Sequence, residues 1–131
     1  MTNFSKYRIL IWSEDPDELM KFYRDVLELK YMKTVDIPND YGHMFEVNGD
    51  MLLWIGYHSE VKGLNKEPWR HMFNLFTNNV QHWFEKIKSA NATVIAEPNL
   101  APFATKEDPT YVCTFQDPEG NTWQLMGLLQ S

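Results

Sequence analysis

The sequence predicts an α+β fold in which two β-α-β-β-β units form curved mixed sheets around a shared cavity. Short apolar segments typical of strands alternate with two amphipathic helices, and the order of strand, helix and three strands occurs twice. The second occurrence follows the first at an offset of about 64 residues, which places Asp15 on Asn79 and Ile9 on Phe73. Each unit alone has few residues for a core, so we expect the two sheets to share one.

The length of the chain favours one domain built from two half-size units. Its 131 residues are enough to bury roughly two-thirds of the unfolded surface without a disulfide or a metal as a staple. A hydrophobic content of 44% with 15% aromatic residues excludes a disordered chain. We therefore expect a single domain over residues 1–131, with the first unit at 6–58 and the second at 70–128.

The net charge limits the macromolecules that the protein can bind, and the cysteine content indicates its cellular compartment. Twelve basic against eighteen acidic side chains give a net charge of −6, which argues against nucleic acids and anionic membranes as partners. No segment approaches the roughly 18 apolar residues of a membrane span, and the run Ile9–Trp12 is too short for the core of a signal peptide. Cys113 is the only cysteine, so no internal disulfide can form and a reducing compartment is favoured. We expect a soluble cytoplasmic protein that binds neither nucleic acid nor membrane.

The first unit has a clear helix start. After a predicted strand at Tyr7–Trp12, Asp15 can cap a helix, Pro16 suits its first position and Glu18 follows three residues after the cap. The apolar residues that come next recur at helical spacing. The other strands of this unit are predicted at Tyr31–Ile37, Tyr41–Val47 and Met51–Tyr57.

The second unit repeats this order after a linker at Ser59–Trp69. Its helix is predicted from the N-cap Asn79 to Asn91, a residue that can end a helix in the left-handed conformation. A short strand at Thr93–Ala96 precedes a long loop at Glu97–Pro109. The other strands of this unit are predicted at His71–Phe76, Thr110–Gln116 and Thr122–Leu128.

The segment DPEGNTWQL at residues 117–125 resembles the ending D-P-D/E-G-N-x-x-E/Q-L of the vicinal oxygen chelate superfamily, which includes glyoxalase I, bleomycin-resistance proteins, fosfomycin-resistance enzymes and extradiol dioxygenases. The segment FYRDVLEL at 22–29 is similar to the first-helix run F-Y-x-D-x-L-G-L/F of the same superfamily, with Glu28 in place of glycine. The order of elements agrees over residues 6–127. The resemblance implies a glyoxalase/bleomycin-resistance-like fold but no single activity, because this fold supports unrelated chemistries.

For the metal-dependent members, the resemblance implies ligands on the first and fourth strands of the first unit and on the first and last strands of the second. The corresponding positions here are Arg8, Leu53 or Trp54, His71 or Met72, and Gln124. Arginine has no lone pair to donate, and neither leucine nor tryptophan binds a divalent ion. An amide oxygen such as that of Gln124 coordinates weakly. We therefore predict no metal and no other cofactor.

The first strand of the second unit leaves one alternative open. A slip of one residue turns the opposite set of side chains toward the cavity. We favour Met72 over His71 at the cavity position, because Phe73 then points toward the helix. If His71 points inward instead, His71 and Gln124 become candidate ligands of a divalent metal, although two neutral ligands hold zinc or iron poorly.

Strand alternation also predicts a pocket lined by both units, with the long loop closing its rim. The inward side chains are aromatic, sulfur-containing or polar, which is typical of a small-molecule pocket whose rings can stack on a flat ligand or hold a cation. The alternative is that these aromatic residues only fill the core. The candidate ligand-binding residues are Arg8, Leu10, Trp12, Met72, Asn74, Phe76, Phe103, Tyr111, Gln124 and Met126.

Three functions are compatible with the sequence. We favour a metal-free small-molecule-binding protein for an aromatic or cationic ligand, similar to the bleomycin-resistance members, and that resemblance implies a homodimer. The alternative is a metal-dependent lyase, isomerase or dioxygenase of the same superfamily, and the third possibility is an interaction module without a ligand. The sequence offers no Ser-His-Asp or paired-carboxylate arrangement, and Cys113 has no base beside it, so catalysis stays open.

Overall fold

The computed structural model describes residues 3–49 and 51–130. The chain divides into two compact units, Met1–Gly63 and Leu64–Ser131, each with one four-stranded mixed sheet and one helical segment. The predicted α+β fold with the order β-α-β-β-β in each unit is therefore confirmed. Within the described residues, no helix is long and apolar enough to cross a membrane.

The first unit packs one helix against one face of its sheet. Its elements are β1 (Tyr7–Ser13), α1 (Pro16–Lys21, continued by a π-helical turn at Phe22–Val26), β2 (Lys30–Ile37), β3 (Asp40–Asn48) and β4 (Met51–Tyr57). The strand order is β1-β4-β3-β2, in which β1 is parallel to β4 and the other pairs are antiparallel. The helix contacts β1, β3 and β4, so one face of this sheet carries the core.

Side chains of β1 alternate between the two faces of the first sheet. Ile11 is buried on the face that carries α1, and its ladder partner Ile55 is buried beside it. Leu10 and Trp12 point to the opposite face, where Trp54 is the ladder partner of Leu10. We call this opposite surface the helix-free face of the first sheet. The buried core on the helix side includes Leu19, Phe22, Tyr23, Phe45 and Leu53.

The second unit repeats the same architecture. Its elements are β5 (Met72–Thr77), α2 (Val80–Ser89), β6 (Thr93–Leu100), β7 (Tyr111–Gln116) and β8 (Thr122–Gly127). The strand order β5-β8-β7-β6, with β5 parallel to β8, is the order of the first unit. Phe73 packs on the fully buried Trp123 at a ring distance of 5.0 Å, on the side of the sheet that carries α2.

Both helices begin with the same pair of hydrogen bonds. In the first unit, the Ser13 hydroxyl accepts from the backbone N–H of Asp15 at 2.8 Å, and the Asp15 carboxylate accepts from the N–H of Glu18 at 3.3 Å. In the second unit, Thr77 accepts from the N–H of Asn79 at 3.1 Å. The side chain of Asn79 in turn caps the helix. The two predicted N-caps and the predicted offset between the units are therefore confirmed.

Both helices are also followed by a residue in the left-handed region. Glu28 has a φ of 54° and Asn91 has a φ of 60°. The sequence correctly predicts Asn91, because asparagine tolerates this conformation. Glu28 stands where the resembling signature has glycine, the residue that adopts a positive φ at the lowest cost.

The second strand of the second unit is longer than the sequence predicts. β6 continues beyond Ala96 to Leu100, so the loop begins after Leu100 rather than at Glu97. The pairing of β6 with β7 shifts register on both sides of Ala96. The strand is at the edge of its sheet, where Pro98 lacks a backbone N–H without interrupting a central ladder. The proline and the irregular register hide this strand from a period-2 pattern.

Candidate functional site

A cleft on the helix-free face of the first sheet brings together the three residues that the sequence predicts from β1. Its volume is about 310 Å³. The β1 side chains alternate onto this face, and the register adds residues from β2, β3 and β4. The cleft is lined by Arg8, Leu10, Trp12, Lys33, Val35, Asp40, Met44 and Trp54.

Trp54 lies flat across this face because two neighbouring positions are glycine. A Cβ at Gly42 or Gly56 would collide with the Trp54 ring, so both glycines make room for the indole. Trp12 meets Trp54 edge to face, at 6.5 Å between ring centroids and an interplanar angle of 71°. Trp54 is 4% exposed, and its indole N–H has no hydrogen-bond partner within the described residues. An unpaired buried donor of this kind costs about 1–3 kcal/mol.

The charged groups of the cleft are predominantly cationic. Arg8 and Lys33 both line it, and neither makes an ion pair or a side-chain hydrogen bond with residues 3–49 or 51–130. Asp40 is the one carboxylate among the lining residues. The arrangement can therefore hold an anionic group beside two tryptophan rings.

Five predicted residues of the second unit share the face of the second sheet away from α2. Met72, Asn74 and Phe76 alternate onto it from β5, and their register places Gln124 and Met126 beside them on β8. The Asn74 amide donates to the Met126 sulfur at 3.5 Å. Phe76 is 76% exposed. The register favours Met72 over His71 on this face, and whether the face lines a pocket stays a prediction.

The remaining predicted residues of this unit lie elsewhere. Tyr111 alternates with Val112 on β7 and shares its side of the sheet with Cys113, away from Gln124. Phe103 lies in the loop after β6 and is exposed. Cys113 is fully buried, and this burial raises the pKa of its thiol to about 11, so it is protonated at neutral pH.

The sequence profile of the Glyoxalase/Bleomycin resistance protein/Dioxygenase superfamily matches residues 7–125. The chain belongs to this superfamily. The resemblance of the two sequence signatures is thereby confirmed. No curated protein sequence matches the chain significantly.

Solved structures of several proteins share the fold of this chain at low sequence identity. UcmS2 superposes with a TM-score of 0.77 and 17% identity, over 95% of this chain and 98% of that one. TioX from Micromonospora sp. ML1 gives 0.70 and 12%, over 95% and 98% of the two chains. Lactoylglutathione lyase from Agrobacterium tumefaciens gives 0.64 and 19%, over 95% and 93%. At these identities the similarity establishes the fold and no common activity.

The metal positions of the superfamily carry few donors in this chain. Trp54, rather than Leu53, is on the helix-free face of the first sheet, together with Arg8. Of the four positions, only Gln124 has an oxygen donor, and its amide nitrogen donates to Thr114 at 3.2 Å. Within the described residues, no three His, Cys, Asp or Glu side chains form a group that could hold a metal ion. The donor set does not fit a superfamily metal site.

A polar cluster that sequence reasoning missed lies on the other side of the first sheet, beside α1. The Asp17 carboxylate accepts from the Tyr41 hydroxyl at 2.6 Å and lies 2.8 Å from His43 Nε2. These hydrogen bonds lower the pKa of Asp17, and the carboxylate raises the pKa of Tyr41 to about 12. The other ring nitrogen of His43 lies 2.8 Å from the Thr34 hydroxyl. Strand alternation already places His43 on the same face as the apolar Phe45, which was the available signal.

Proposed function

We propose that the protein binds a small planar aromatic molecule, without a metal, on the helix-free face of the first sheet. The observation that carries the proposal is the pair Trp12 and Trp54, with a buried indole N–H that lacks a partner within the described residues. A ligand can stack on the rings, and an acceptor atom on it can pair with the indole after a small shift of Trp54. The cleft volume of about 310 Å³ suits a molecule of one or two rings.

Of the two ligand classes that the sequence suggests, the charges favour an aromatic anion over a cation. Arg8 and Lys33 have no neutralising partner within the described residues, so they attract a carboxylate or phosphate on the ligand. The same two charges oppose a cation above the tryptophan rings, even though such rings can bind one. Asp40 offsets only part of this potential.

Tryptophan fluorescence tests the proposal with three ligands of one shape and different charge. Naphthoate is the anion, naphthamide is neutral and naphthylmethylamine is the cation. We expect naphthoate to bind tightest, with an affinity about tenfold above that of the amide, because one charge-assisted contact is worth about 1.4 kcal/mol. Added salt should reduce this difference. Failure of all three ligands to bind would contradict the aromatic site itself.

Variants locate the ligand within the chain. Trp12→Ala and Arg8→Ala should each weaken naphthoate binding about tenfold or more. His71→Ala is the matched control, because His71 is exposed and outside the cleft, and its Kd should stay within about twofold of the unmodified protein. An equal or larger loss with His71→Ala would move the site to the second unit.

Metal analysis of the purified untagged protein tests the metal-free part. We expect no stoichiometric metal and no change in Tm after a chelator or after zinc, nickel, manganese or iron(II). A stoichiometric metal, or a clear rise in Tm with one ion, would favour the metal-dependent lyase, isomerase or dioxygenase instead, with His71 and Gln124 as first ligands to test.

We also propose a cytoplasmic homodimer, as the sequence predicts. The exposed apolar side chains Leu10 (46%) and Phe76 (76%) support association, because such groups gain from being covered. The unpaired Cys113 fits a reducing compartment. Sedimentation equilibrium should give twice the chain mass of 15.5 kDa, and the mass of a monomer would contradict the dimer.

A further inference from the structure

Three side chains beside α1 form a hydroxyl–imidazole–carboxylate relay. His43 is buried, with 6% of its surface exposed, and each ring nitrogen has a partner. Nδ1 lies 2.8 Å from Thr34 Oγ1, and Nε2 lies 2.8 Å from Asp17 Oδ1. We call Thr34, His43 and Asp17 the relay. It lies on the helix side of the first sheet, opposite the proposed ligand face.

The hydrogen-bond pattern fixes the direction of each proton in the relay when His43 is neutral. The lowered pKa of Asp17 keeps its carboxylate ionised at neutral pH, so it can only accept. Nε2 of His43 therefore carries a proton and donates a hydrogen bond to Asp17. Nδ1 has no proton and is left as an acceptor. Thr34 must then donate its hydroxyl proton to Nδ1. The Tyr31 hydroxyl, 2.5 Å away, donates to Thr34 Oγ1, whose own proton is already engaged.

The relay opens into a cleft of about 420 Å³. Thr34 is exposed on the edge strand β2, whereas His43 behind it is buried. A substrate can thus reach the hydroxyl while the imidazole stays shielded from water. Arg24 also lines the cleft and keeps N–H donors beyond the two that it gives to Asp25.

The second unit indicates that the fold does not need this cluster. In the ladder register, Cys113 occupies the position of His43. His43 pairs with Ile55, the partner of Ile11 on β1, and Cys113 pairs with Leu125, the partner of Leu75 on β5. The repeat offset places Gln81 at the position of Asp17, and Gln81 bonds to Glu85 on its own helix. At these two positions the second unit therefore has neither an imidazole nor a carboxylate. The relay is therefore an addition to the common scaffold.

We propose that Thr34 is a nucleophile that accepts an acyl group from an activated ester. His43 acts as its general base, and Asp17 is the positioning residue that holds the imidazole in the required tautomer. Thr34 Oγ1 attacks the acyl carbon and passes its proton to His43 Nδ1. The bond to the leaving alkoxide or phenoxide then breaks, and that group departs with the electron pair while His43 gives up its Nδ1 proton to it or to water. Water attacks the acyl-threonine next and passes a proton to His43 Nδ1, which returns it to Thr34 Oγ1 as the acid is released.

The first experiment is acylation by p-nitrophenyl acetate, followed by peptide mapping. The unmodified protein and Thr34→Ser should release a burst of nitrophenolate and carry one acetyl group at residue 34. Thr34→Val keeps the shape of the side chain and should lose both the burst and the label. Thr93→Val is the matched control, because Thr93 is an exposed threonine on β6, the edge strand of the second sheet. It should behave as the unmodified protein does.

Two further variants assign the roles of the base and the positioning residue. His43→Gln should slow acylation by about 100-fold or more, the usual contribution of a general base. Asp17→Asn should slow it as well, because an amide can donate to Nε2 and so leave the proton on Nδ1, and Asp17→Glu, which keeps a carboxylate, should restore part of the rate. Tyr41→Phe removes the other hydrogen bond to Asp17 and should slow acylation less than Asp17→Asn does, since the carboxylate still accepts from His43.

Acetyl groups on lysines or the N-terminus alone would overturn the proposal, and so would a burst in Thr34→Val equal to that of the unmodified protein. Melting curves of every variant accompany the rates. If His43→Gln fails to fold, the pair Thr34→Val and Thr34→Ser still decides the outcome. Because the relay and the ligand face lie on opposite sides of the sheet, naphthoate binding should be unchanged in Thr34→Val, so the two proposals can fail separately.

Discussion

The two units have one scaffold and two different surfaces. Strand order, parallel pairing and the paired hydrogen bonds at the helix start are the same in both. Asp15 and Asn79 both cap a helix, because the side-chain oxygen of either residue can accept a hydrogen bond from a backbone N–H in the first turn. The repeat thus lies in the caps and in the alternation of apolar residues rather than in sequence identity.

The helix-free faces show what this scaffold leaves free to vary. In the first unit Trp54 pairs with Leu10 on the neighbouring strand. At the equivalent position of the second unit, Gln124 pairs with Asn74. An aromatic and cationic surface in one unit is therefore an amide and sulfur surface in the other. Since neither set of side chains contributes to the helix-side core, either can change without altering the fold.

The helix sides differ at one equivalent position. His43 in the first unit has polar partners, whereas Cys113 in the second is an apolar-like buried thiol with a raised pKa. A buried imidazole needs hydrogen-bond partners on both nitrogens, which Thr34 and Asp17 supply. The thiol needs none, and Gln81, at the position of Asp17, bonds to Glu85 on its own helix.

The largest expected difference between the units concerns their buried tryptophans. Trp123→Ala should cost about 3–5 kcal/mol of unfolding free energy, because it empties a fully buried site next to Phe73. Trp54→Ala should cost about 1–3 kcal/mol less, since it also removes an indole N–H without a partner in the described part of the chain. Urea unfolding of both variants measures this. Equal losses would contradict the reading of Trp54 as an unsatisfied donor.

The two N-caps should contribute equally if the units are true structural repeats. Asp15→Ala and Asn79→Ala should each cost about 1 kcal/mol, because each leaves one helical N–H without its acceptor. Thermal unfolding of the two variants checks this, with Ser13→Ala and Thr77→Ala as the corresponding pair two residues earlier. A cap that matters in only one unit would limit the repeat to topology.

Much of the fold could be predicted from the sequence, because its determinants are local. The caps Asp15 and Asn79 and the left-handed Asn91 each identify a helix boundary through one side chain. Strand β6 could not be predicted to its full length. Its register shifts and Pro98 break the period of two on which strand prediction depends.

The candidate sites could be predicted only where alternation is regular. β1 has no bulge, so Arg8, Leu10 and Trp12 could be assigned to one face. On β2 the register shifts between Tyr31 and Lys33, which puts Lys33 on the ligand face and lets Tyr31 reach Thr34 three residues later. A bulge of this kind depends on pairing with β3, so it cannot be predicted from the residues of β2 alone.

A smaller effect is expected at the residues that follow the helices. Glu28→Gly should be more stable than Glu28→Ala by about 1 kcal/mol, because only glycine relieves the left-handed backbone after α1. Both substitutions remove the same side-chain contacts, so their difference isolates the backbone. In the second unit, Asn91→Gly should change the stability less than Asn91→Ala does. Asparagine already tolerates this φ, so glycine brings little relief there. Chemical unfolding of the four variants tests the contrast.

The last prediction concerns the hydrogen bond between Tyr41 and Asp17 in the first unit, which spectroscopy can measure. Tyr41 donates its hydroxyl proton to the Asp17 carboxylate, which raises the pKa of the phenol to about 12. A folded-state pKa above the unfolded value of 10.0 means that the stabilisation is complete below pH 10 and is lost as the pH rises toward 12. Phenolate absorbance of the unmodified protein minus that of Tyr41→Phe isolates this titration. Asp17→Asn should bring the midpoint down toward 10, and a midpoint near 10 in the unmodified protein would contradict the hydrogen bond between α1 and β3.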